Sequence, residues 1–169
     1  MPVDSFKFLP RLIATFYQML ETPPQRPLPW TPLSKPLSDC TVGLVTSAGL
    51  YHAGVEPPFD TARERQEPTW GDPTYRTIPA GIRQAEIGVS HLHLNTAPLR
   101  ADFNIALPIR RLRELASAGR IGGVAERHFA FMGYQGFPPD AAAWRDRYGP
   151  EVAARFKAQG VDCVLLTPT

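Results

Sequence analysis

Two runs of consecutive apolar residues interrupt an otherwise mixed pattern of short apolar and polar stretches. They cover residues 40–46 and 161–167 and are rich in valine and leucine. Such runs are typical of strands that are covered on both faces of a parallel sheet. The pattern also predicts a strand over residues 86–94 and a short extended segment over residues 75–78.

Helical spacing of apolar residues appears in three other regions. Over residues 9–20 it predicts an amphipathic helix that packs on its own domain or on a second subunit. Residues 108–118 begin with a proline and are followed by Gly119, which is typical of a helix with defined ends. Two more helices are predicted over residues 140–148 and 150–159, separated at a Gly-Pro pair.

A proline-rich segment lies between the amino-terminal helix and the first strand. Six prolines and Trp30 fall within residues 22–39. Because proline lacks an amide donor and fixes φ, this segment is neither a helix nor a central strand. We expect an extended strap held to the surface by Trp30 or, alternatively, a ligand for a partner's groove. Residues 1–39 are assigned to helix and strap, and residues 40–169 to an α/β domain.

Three further segments carry weaker patterns. Residues 47–54 are expected to form a loop of small residues, and residues 55–75 a long irregular excursion interrupted by four prolines. Residues 121–136 are rich in glycine and aromatic residues and receive no assignment.

The order of these elements predicts an α/β fold with an open, largely parallel sheet and flanking helices, as in flavodoxin-like and Rossmann-like domains. Right-handed crossovers bring the carboxyl ends of parallel strands to one rim, where open α/β sheets bind ligands. Ser47, His91 and Thr167 lie at the ends of three predicted strands. We therefore expect them to converge there, with Thr46 beside Ser47.

The composition is that of one soluble globular domain, with 43% hydrophobic and 20% charged residues in a chain of 169. The net charge is +2 without a basic block, which argues against a nucleic-acid partner. Cys40 and Cys163 are the only cysteines, so a disulfide scaffold is excluded and a cytoplasmic location is expected. The amino-terminal apolar stretch is broken by charged residues and proline, so neither a membrane contact nor an export signal is predicted.

The pair His91 and His93 is the first candidate site. Residues two apart on a strand face the same way, so both imidazoles would reach one metal ion or one substrate. Zinc needs at least a third ligand, for which His52, Asp102, Glu126 and His128 are candidates. The alternative is a pair of hydrogen-bonded histidines flanking a loop, and no metal is assigned.

A second cluster, Glu126-Arg127-His128, lies in the glycine-rich segment. An acid, a guanidinium and an imidazole together can bind a carboxylate and transfer a proton near neutral pH. The alternative is ordinary surface charge, and the same holds for Arg100. A phosphate loop is disfavoured, because the glycines near Ser47 match neither nucleotide-binding motif.

At these same residues the chain resembles the selenoprotein B family of glycine, sarcosine, betaine and D-proline reductases, and most of all its D-proline-reductase-like branch. The matching motifs include Ser-His-Leu-His at residues 90–93, Asp-Phe-Asn at 102–104 and Gly-Gly-Val-Ala-Glu-Arg-His at 122–128. The block that begins at residue 122 continues to residue 133, and further matching blocks lie at residues 30–38, 42–49, 57–60, 71–79 and 108–112.

The resemblance implies reductive cleavage of a carbon–nitrogen bond in a small amino acid or its derivative. In this family a selenolate or thiolate attacks the substrate, and a carbonyl group on a partner subunit holds the amine. It further implies that His91, His93, Glu126 and His128 line the catalytic pocket. Arg100 or Arg127 would bind a substrate carboxylate, with Thr46, Ser47 and Thr167 contacting the substrate.

In the family, the strand that matches residues 164–169 is followed at once by selenocysteine or cysteine. We therefore expect the nucleophile immediately after Thr169 and a chain truncated there at an in-frame UGA codon. The α/β domain would then be incomplete at its carboxyl end, and the 169-residue product would show no turnover. The rival interpretation is a short paralogue that has lost catalysis. No other bound cofactor is predicted.

Three function classes remain open on the sequence. The first is a reductase subunit that binds a partner subunit and forms homo-oligomers. The second is a non-catalytic α/β binding or assembly module. The third is a metal-dependent hydrolase that uses His91 and His93.

Overall fold

The computed structural model describes residues 10–19 and 31–169. It divides into two units, residues 1–32 and 33–169. In the first unit, helix α1 spans Arg11–Met19, as the apolar spacing predicts for this part of residues 9–20. Trp30 and most of the proline-rich strap lie outside the described residues, and the domain boundary after residue 39 stays a prediction.

The second unit contains seven strands. Five of them form one sheet: β1 (Thr41–Thr46), β3 (Tyr75–Pro79), β5 (Gly123–Val124), β6 (Arg127–Phe131) and β7 (Cys163–Thr167). β1 runs parallel to β5, β6 and β7, and β3 pairs antiparallel with β6. The fold is therefore α/β with a mostly parallel sheet, as predicted.

The second unit has four α-helices, of which α4 and α5 cover opposite faces of this sheet. The four helices are α2 (Thr61–Gln66), α3 (Ala97–Ala101), α4 (Ile109–Ser117) and α5 (Gly149–Ala158). On one face, Leu44 and Ile78 pack with Ile109 and Leu112 of α4. On the other face, the β6 and α5 side chains form a second cluster: Phe129, Phe131, Val152 and Phe156. Alternate residues of the strands thus enter two different cores.

The strongest patterns are confirmed by the structure. β1 buries three consecutive residues because it is covered on both faces. α4 follows Pro108 and ends near Gly119, which has a φ of 66°. The predicted last strand corresponds to β7, and the extended piece at residues 75–78 corresponds to β3.

Other predictions need correction. The loop expected at residues 47–54 contains β2 (Leu50–His52), and the excursion at residues 55–75 contains α2, whose first turn is capped by Asp60. The strand expected over residues 86–94 is reduced to β4 (Ile87–Val89), which pairs only with β2 in a separate two-stranded sheet. The glycine- and aromatic-rich segment holds β5 and β6.

The two helices expected after residue 140 are continuous. A π-helical turn over Trp144–Tyr148 leads directly into α5. Pro150 does not interrupt the helix, because it directly follows this wider π-helical turn, in which the Gly149 amide donates to the Trp144 carbonyl, five residues back, instead of closing a regular α-helical turn.

Candidate functional site

The carboxyl ends of β1 and β7 meet at one rim of the sheet. The amide of Ser47 donates to the carbonyl of Thr167 at 3.4 Å. The amide of Thr169 donates to Ser47 Oγ at 2.9 Å, and the hydroxyls of Ser47 and Thr169 lie 3.2 Å apart. These bonds hold the backbone of Thr169 directly beside Ser47.

A cavity of about 550 Å³ opens beside this rim. This volume lies in the range of small-ligand pockets, roughly 300–1,000 Å³. The indole Nε1 of Trp144 is buried and has no hydrogen-bond partner within the described residues. The cavity is lined by side chains and by the ends of the strands: Val45, Thr46, Ser47, Phe131, Gly133, Trp144, Gly149, Leu166, Thr167, Pro168 and Thr169.

The hydroxyls of Thr46 and Thr167 connect the strand ends to each other and to the neighbouring loop. Thr46 Oγ1 donates to the Thr167 carbonyl at 3.2 Å and accepts from the Ala48 amide at 3.2 Å. Thr167 Oγ1 lies 2.6 Å from the Ala106 carbonyl. These two hydroxyls therefore fix the shape of the rim.

His91 lies at the same rim, in the turn after β4. Its Nδ1 accepts a hydrogen bond from the His93 amide at 3.1 Å, so the neutral ring carries its proton on Nε2. That Nε2 is buried without a partner in the described part of the chain. Burial, and secondarily the neighbouring His93, lowers the pKa of His91 and keeps the ring neutral.

Gly133 shows how closely these groups approach one another. A Cβ at this position would lie 3.1 Å from the Ser47 carbonyl oxygen, 3.3 Å from the Thr169 carbonyl oxygen and 3.4 Å from His91 Nε2. The free donor of His91 thus lies against the same glycine as the end of β1 and the backbone that follows β7.

His93 forms a pair with a buried carboxylate. Its Nε2 lies 2.8 Å from Glu64 Oε1, and the Glu64 side chain is only 1% exposed. Burial raises the pKa of Glu64, against the opposing effect of the hydrogen bond from His93. The His93 ring also stacks on Tyr134, with ring centroids 4.2 Å apart.

A second buried network holds the segment that precedes α2. Arg76 donates to the carbonyls of Pro57 and Pro58 at 2.7 and 3.1 Å and lies 3.5 Å from Asp72. Asp72 accepts in turn from the amide of Asp60, the residue that caps α2. This network fixes the start of the helix that carries Glu64.

The expectation that His91 and His93 share one face of a strand is wrong. Both residues follow β4 in a turn, with their rings 6.1 Å apart and nearly perpendicular. Each ring already has one nitrogen engaged. Within residues 10–19 and 31–169, no group of three or more metal-ligating side chains is arranged to hold a metal ion.

Glu126, Arg127 and His128 lie at the amino end of β6, away from the rim. Four residue steps of about 3.3 Å place Arg127 roughly 13 Å from Phe131, which lines the cavity. Glu126 and Arg127 are exposed. His128 is fully buried and accepts a hydrogen bond from the Leu44 amide at its Nδ1, at 3.1 Å. The structure therefore does not bring these three residues to the rim.

Arg100 lies in α3, on the same side of the molecule as His91. Its Nη2 donates to the Val89 carbonyl at 3.3 Å, two residues before His91. The residue is exposed.

Sequence reasoning missed Glu64 and Tyr134, the two side chains that hold His93. The signal for Glu64 was indirect: Asp60 precedes α2 as an amino-terminal cap, and its side chain accepts from the Arg63 amide at 2.9 Å. Tyr134 follows β6 in the unassigned segment, and its hydroxyl donates to the Pro68 carbonyl.

Comparison with known proteins gives a consistent family match. Residues 13–169 match the family described as glycine/sarcosine/betaine reductase selenoprotein B. The chain is 37% identical over 138 residues to the D-proline reductase subunit gamma of Acetoanaerobium sticklandii, covering 82% of this chain and 52% of that protein. No solved structure gives a significant match.

Two further relatives belong to related complexes. The chain is 28% identical to the glycine reductase complex component B subunit gamma of Carboxydothermus hydrogenoformans, over 84% of its own length and 31% of that protein. It is 31% identical to the betaine reductase complex component B subunit beta of Peptoclostridium acidaminophilum, over 80% of its own length and 29% of that protein. The chain thus spans about half of the first relative and under a third of the other two. Within the described residues, no helix is long and apolar enough to cross a bilayer.

Proposed function

Because this chain belongs to the glycine/sarcosine/betaine reductase selenoprotein B family, we propose that it forms part of a reductase subunit that cleaves a carbon–nitrogen bond in a small amino acid or its derivative. The observation that carries the proposal is the rim at which Ser47, His91 and Thr169 meet beside an open cavity. This subunit would act in the cytoplasm together with a partner subunit. The three relatives are themselves named as subunits or components of reductases or reductase complexes.

The nucleophile of this reaction is a selenocysteine or cysteine in the sequence that follows Thr169 in the full gene. The family resemblance supports this position, since the reactive residue follows the matching strand. The hydrogen bond from the Thr169 amide to Ser47 also supports it, because the next residue would start at the rim, close to His91. A selenolate or a low-pKa thiolate is ionised at neutral pH and so is a better nucleophile than a protonated thiol.

In the proposed step, the nucleophile forms a bond to the carbon that carries the nitrogen, and the carbon–nitrogen bond breaks. The electron pair of that bond leaves with the nitrogen, which takes up a proton. A carbonyl group on the partner subunit holds the amine, as the family resemblance implies. A dithiol then supplies two electrons and is oxidised to a disulfide: the carbon–sulfur or carbon–selenium bond breaks, the carbon takes up a proton, and the thiolate or selenolate is restored. His91 contributes a buried Nε2–H donor at the rim.

Substrate contact follows from the lining of the cavity. Thr46, Ser47 and Thr167 border it and would contact the substrate mainly through the backbone of the strand ends, because the two threonine hydroxyls are already engaged. Of the two candidate arginines, Arg100 is the better carboxylate ligand, since it lies on the side of His91 whereas Arg127 lies at the opposite end of the sheet.

The codon that follows Thr169 tests the position of the nucleophile. A UGA or cysteine codon that opens a continuing α/β reading frame supports it. A UAA or UAG codon, or a frame that does not continue the domain, overturns it.

An assay tests the activity. The full-length product, with selenocysteine or cysteine after Thr169, is combined with its partner subunit and assayed for dithiol-dependent reduction of glycine, sarcosine, betaine and D-proline. We expect turnover of at least one substrate and a large loss in His91→Asn. Absence of turnover with all four would contradict the proposal.

We also propose that the 169-residue chain, taken without the sequence that would follow Thr169, self-associates through β7. This strand has one neighbouring strand within the described residues, and its Val164, Leu165 and Leu166 side chains are 39%, 46% and 67% exposed. An open apolar edge strand is a template for pairing with another strand, and two copies of the same strand can pair about a twofold axis.

A further inference from the structure

We infer that Glu64 is a positioning residue that holds His93 in one tautomer and orientation, so that the two act as a proton-transfer pair at the rim. This inference rests on the proposed reductase function, to which it adds a residue outside every motif of the sequence. The geometry that carries it is a chain of contacts from Glu64 through His93 and His91 to the backbone beside Thr169.

The burial of Glu64 calls for an explanation. Its side chain is 1% exposed, its Oε1 contacts only the His93 ring, and its Oε2 is buried without a partner in the described part of the chain. A buried carboxylate with so few partners costs stability, and an apolar side chain of similar size would serve packing alone better. Among the described residues, His93 is the hydrogen-bond partner of this carboxylate, and Arg65 adds a weaker electrostatic attraction, so the group that the carboxylate orients is His93.

His93 is held in a manner suited to proton transfer. The contact with Glu64 occupies Nε2, and stacking on Tyr134 fixes the plane of the ring. With the Nε2 proton directed to the carboxylate, Nδ1 keeps its lone pair as the basic nitrogen. The His93 side chain remains 51% exposed, so a proton can enter and leave the pair.

The contact between Glu64 and His93 also orders His91, through the backbone of His93. The amide of His93 donates to His91 Nδ1, which fixes the His91 proton on Nε2, beside Gly133 and the Thr169 carbonyl. A carboxylate that immobilises His93 therefore also stabilises the turn that presents the His91 donor to the rim.

The first test uses the 169-residue chain and does not depend on activity. Nitrogen-15 NMR of the histidine rings is recorded for wild type, Glu64→Leu, Glu64→Gln and the control Glu67→Gln, in which an exposed acid paired with Arg63 is changed. We expect wild-type His93 to be in the Nε2–H form and Glu64→Leu to lose this preference, whereas Glu64→Gln retains it because its amide oxygen still accepts from Nε2–H. Glu67→Gln should keep it.

Thermal unfolding separates this role from simple packing. Glu64→Leu should unfold at the wild-type temperature or above, because an apolar residue relieves the buried charge. If Glu64→Leu does not fold, Glu64→Met, a side chain of similar size without an oxygen acceptor, supplies the tautomer measurement. A folded Glu64→Leu or Glu64→Met variant whose His93 keeps the wild-type tautomer overturns the inference.

The second test uses the full-length reductase with its partner subunit. Glu64→Leu should lower kcat on the order of 100-fold, the low end of the contribution of a general acid–base group, with KM nearly unchanged. Glu67→Gln should match wild type. Equal kcat in Glu64→Leu and wild type overturns the proton-transfer role. Absence of turnover in the wild type refutes the proposed reductase function instead. In that case the tautomer measurement alone decides whether Glu64 positions His93.

Discussion

At the scale of single residues, His128 fills a gap in the sheet. β1 pairs with β5 through Thr41 and Val42 and with β6 through Val45 and Thr46. Between these two stretches, the Leu44 amide donates to the imidazole Nδ1 of His128 instead of to a backbone carbonyl. The acceptor role requires an unprotonated Nδ1, and burial lowers the pKa of His128 to about 4.

This feature predicts a pH dependence of stability. The unfolded imidazole titrates near pH 6.5 and the folded one near 4, so between these values the unfolded state binds the proton and the folded state does not. The free energy of unfolding should therefore fall by about 3 kcal/mol as the pH decreases from 6.5 to 4. Urea unfolding across this range measures the loss, and proton NMR follows the ring itself. Titration of folded His128 near pH 6.5 would contradict the prediction.

Arg76 is a second buried polar residue, and its charge is balanced inside the protein. Its guanidinium faces Asp72 and lies over the ring of Phe59, with a centroid distance of 4.2 Å. We expect Arg76→Met to lower the free energy of unfolding by about 3 kcal/mol, because it leaves the Asp72 carboxylate buried without its cation. Urea unfolding should show little change for Arg65→Met, which removes an exposed arginine of α2. Equal stability of the two variants would contradict this prediction.

At the scale of elements, the close approach of α5 to β1 depends on a glycine. A Cβ at Gly43 would lie 2.5 Å from Cε1 of Phe156, a buried ring that packs edge-to-face on Phe129. We expect Gly43→Ala to cost roughly 1–3 kcal/mol of unfolding free energy through overpacking. Gly81→Ala is the matched control, because no heavy atom lies within 4 Å of its Cβ position. A Gly43→Ala variant as stable as this control would show that α5 shifts without cost.

The elements also show how far the sequence predicts this fold. β1, β7 and α4 were predictable because each carries a local signal, either consecutive apolar residues or a proline start with a glycine stop. α2 was not, because its buried residue is an acid and no apolar periodicity marks it. β6 was hidden among glycines and aromatic residues, and its burial on both faces removes the alternation that marks half-buried strands.

The candidate site was likewise predictable only where its residues lie at the ends of predicted strands. Ser47 and Thr167 meet at the rim because parallel strands end at a common edge, which follows from the order of elements alone. Glu64 was not accessible, since its partner His93 is 29 residues away and belongs to a turn that was expected to be a strand. Glu126 was grouped with the rim because β6 was not predicted, so the sequence did not show that Glu126 precedes a strand and lies at the opposite end of the sheet.

At the scale of the whole molecule, the proposed self-association through β7 gives a direct prediction. Sedimentation velocity should show a dimer or larger species for the wild-type chain, and Leu166→Lys should shift it toward the monomer, since it places a charge on the exposed apolar edge. Leu115→Lys, at an exposed position of α4, should leave the assembly unchanged. A wild-type chain that stays monomeric at high concentration would refute this interface.

The central position of β1 has a consequence for synthesis on the ribosome. Its paired residues in β6 and β7 lie 84 and 121 residues further along the chain, as in Val45 with Phe129 and Val42 with Cys163. A nascent polypeptide therefore exposes the central strand of the sheet long before any neighbour exists to cover it. Such long-range closure is slow and leaves apolar backbone open to other chains in the meantime, so we expect productive folding in the cell to depend on a chaperone that shields the first strand until the last one emerges.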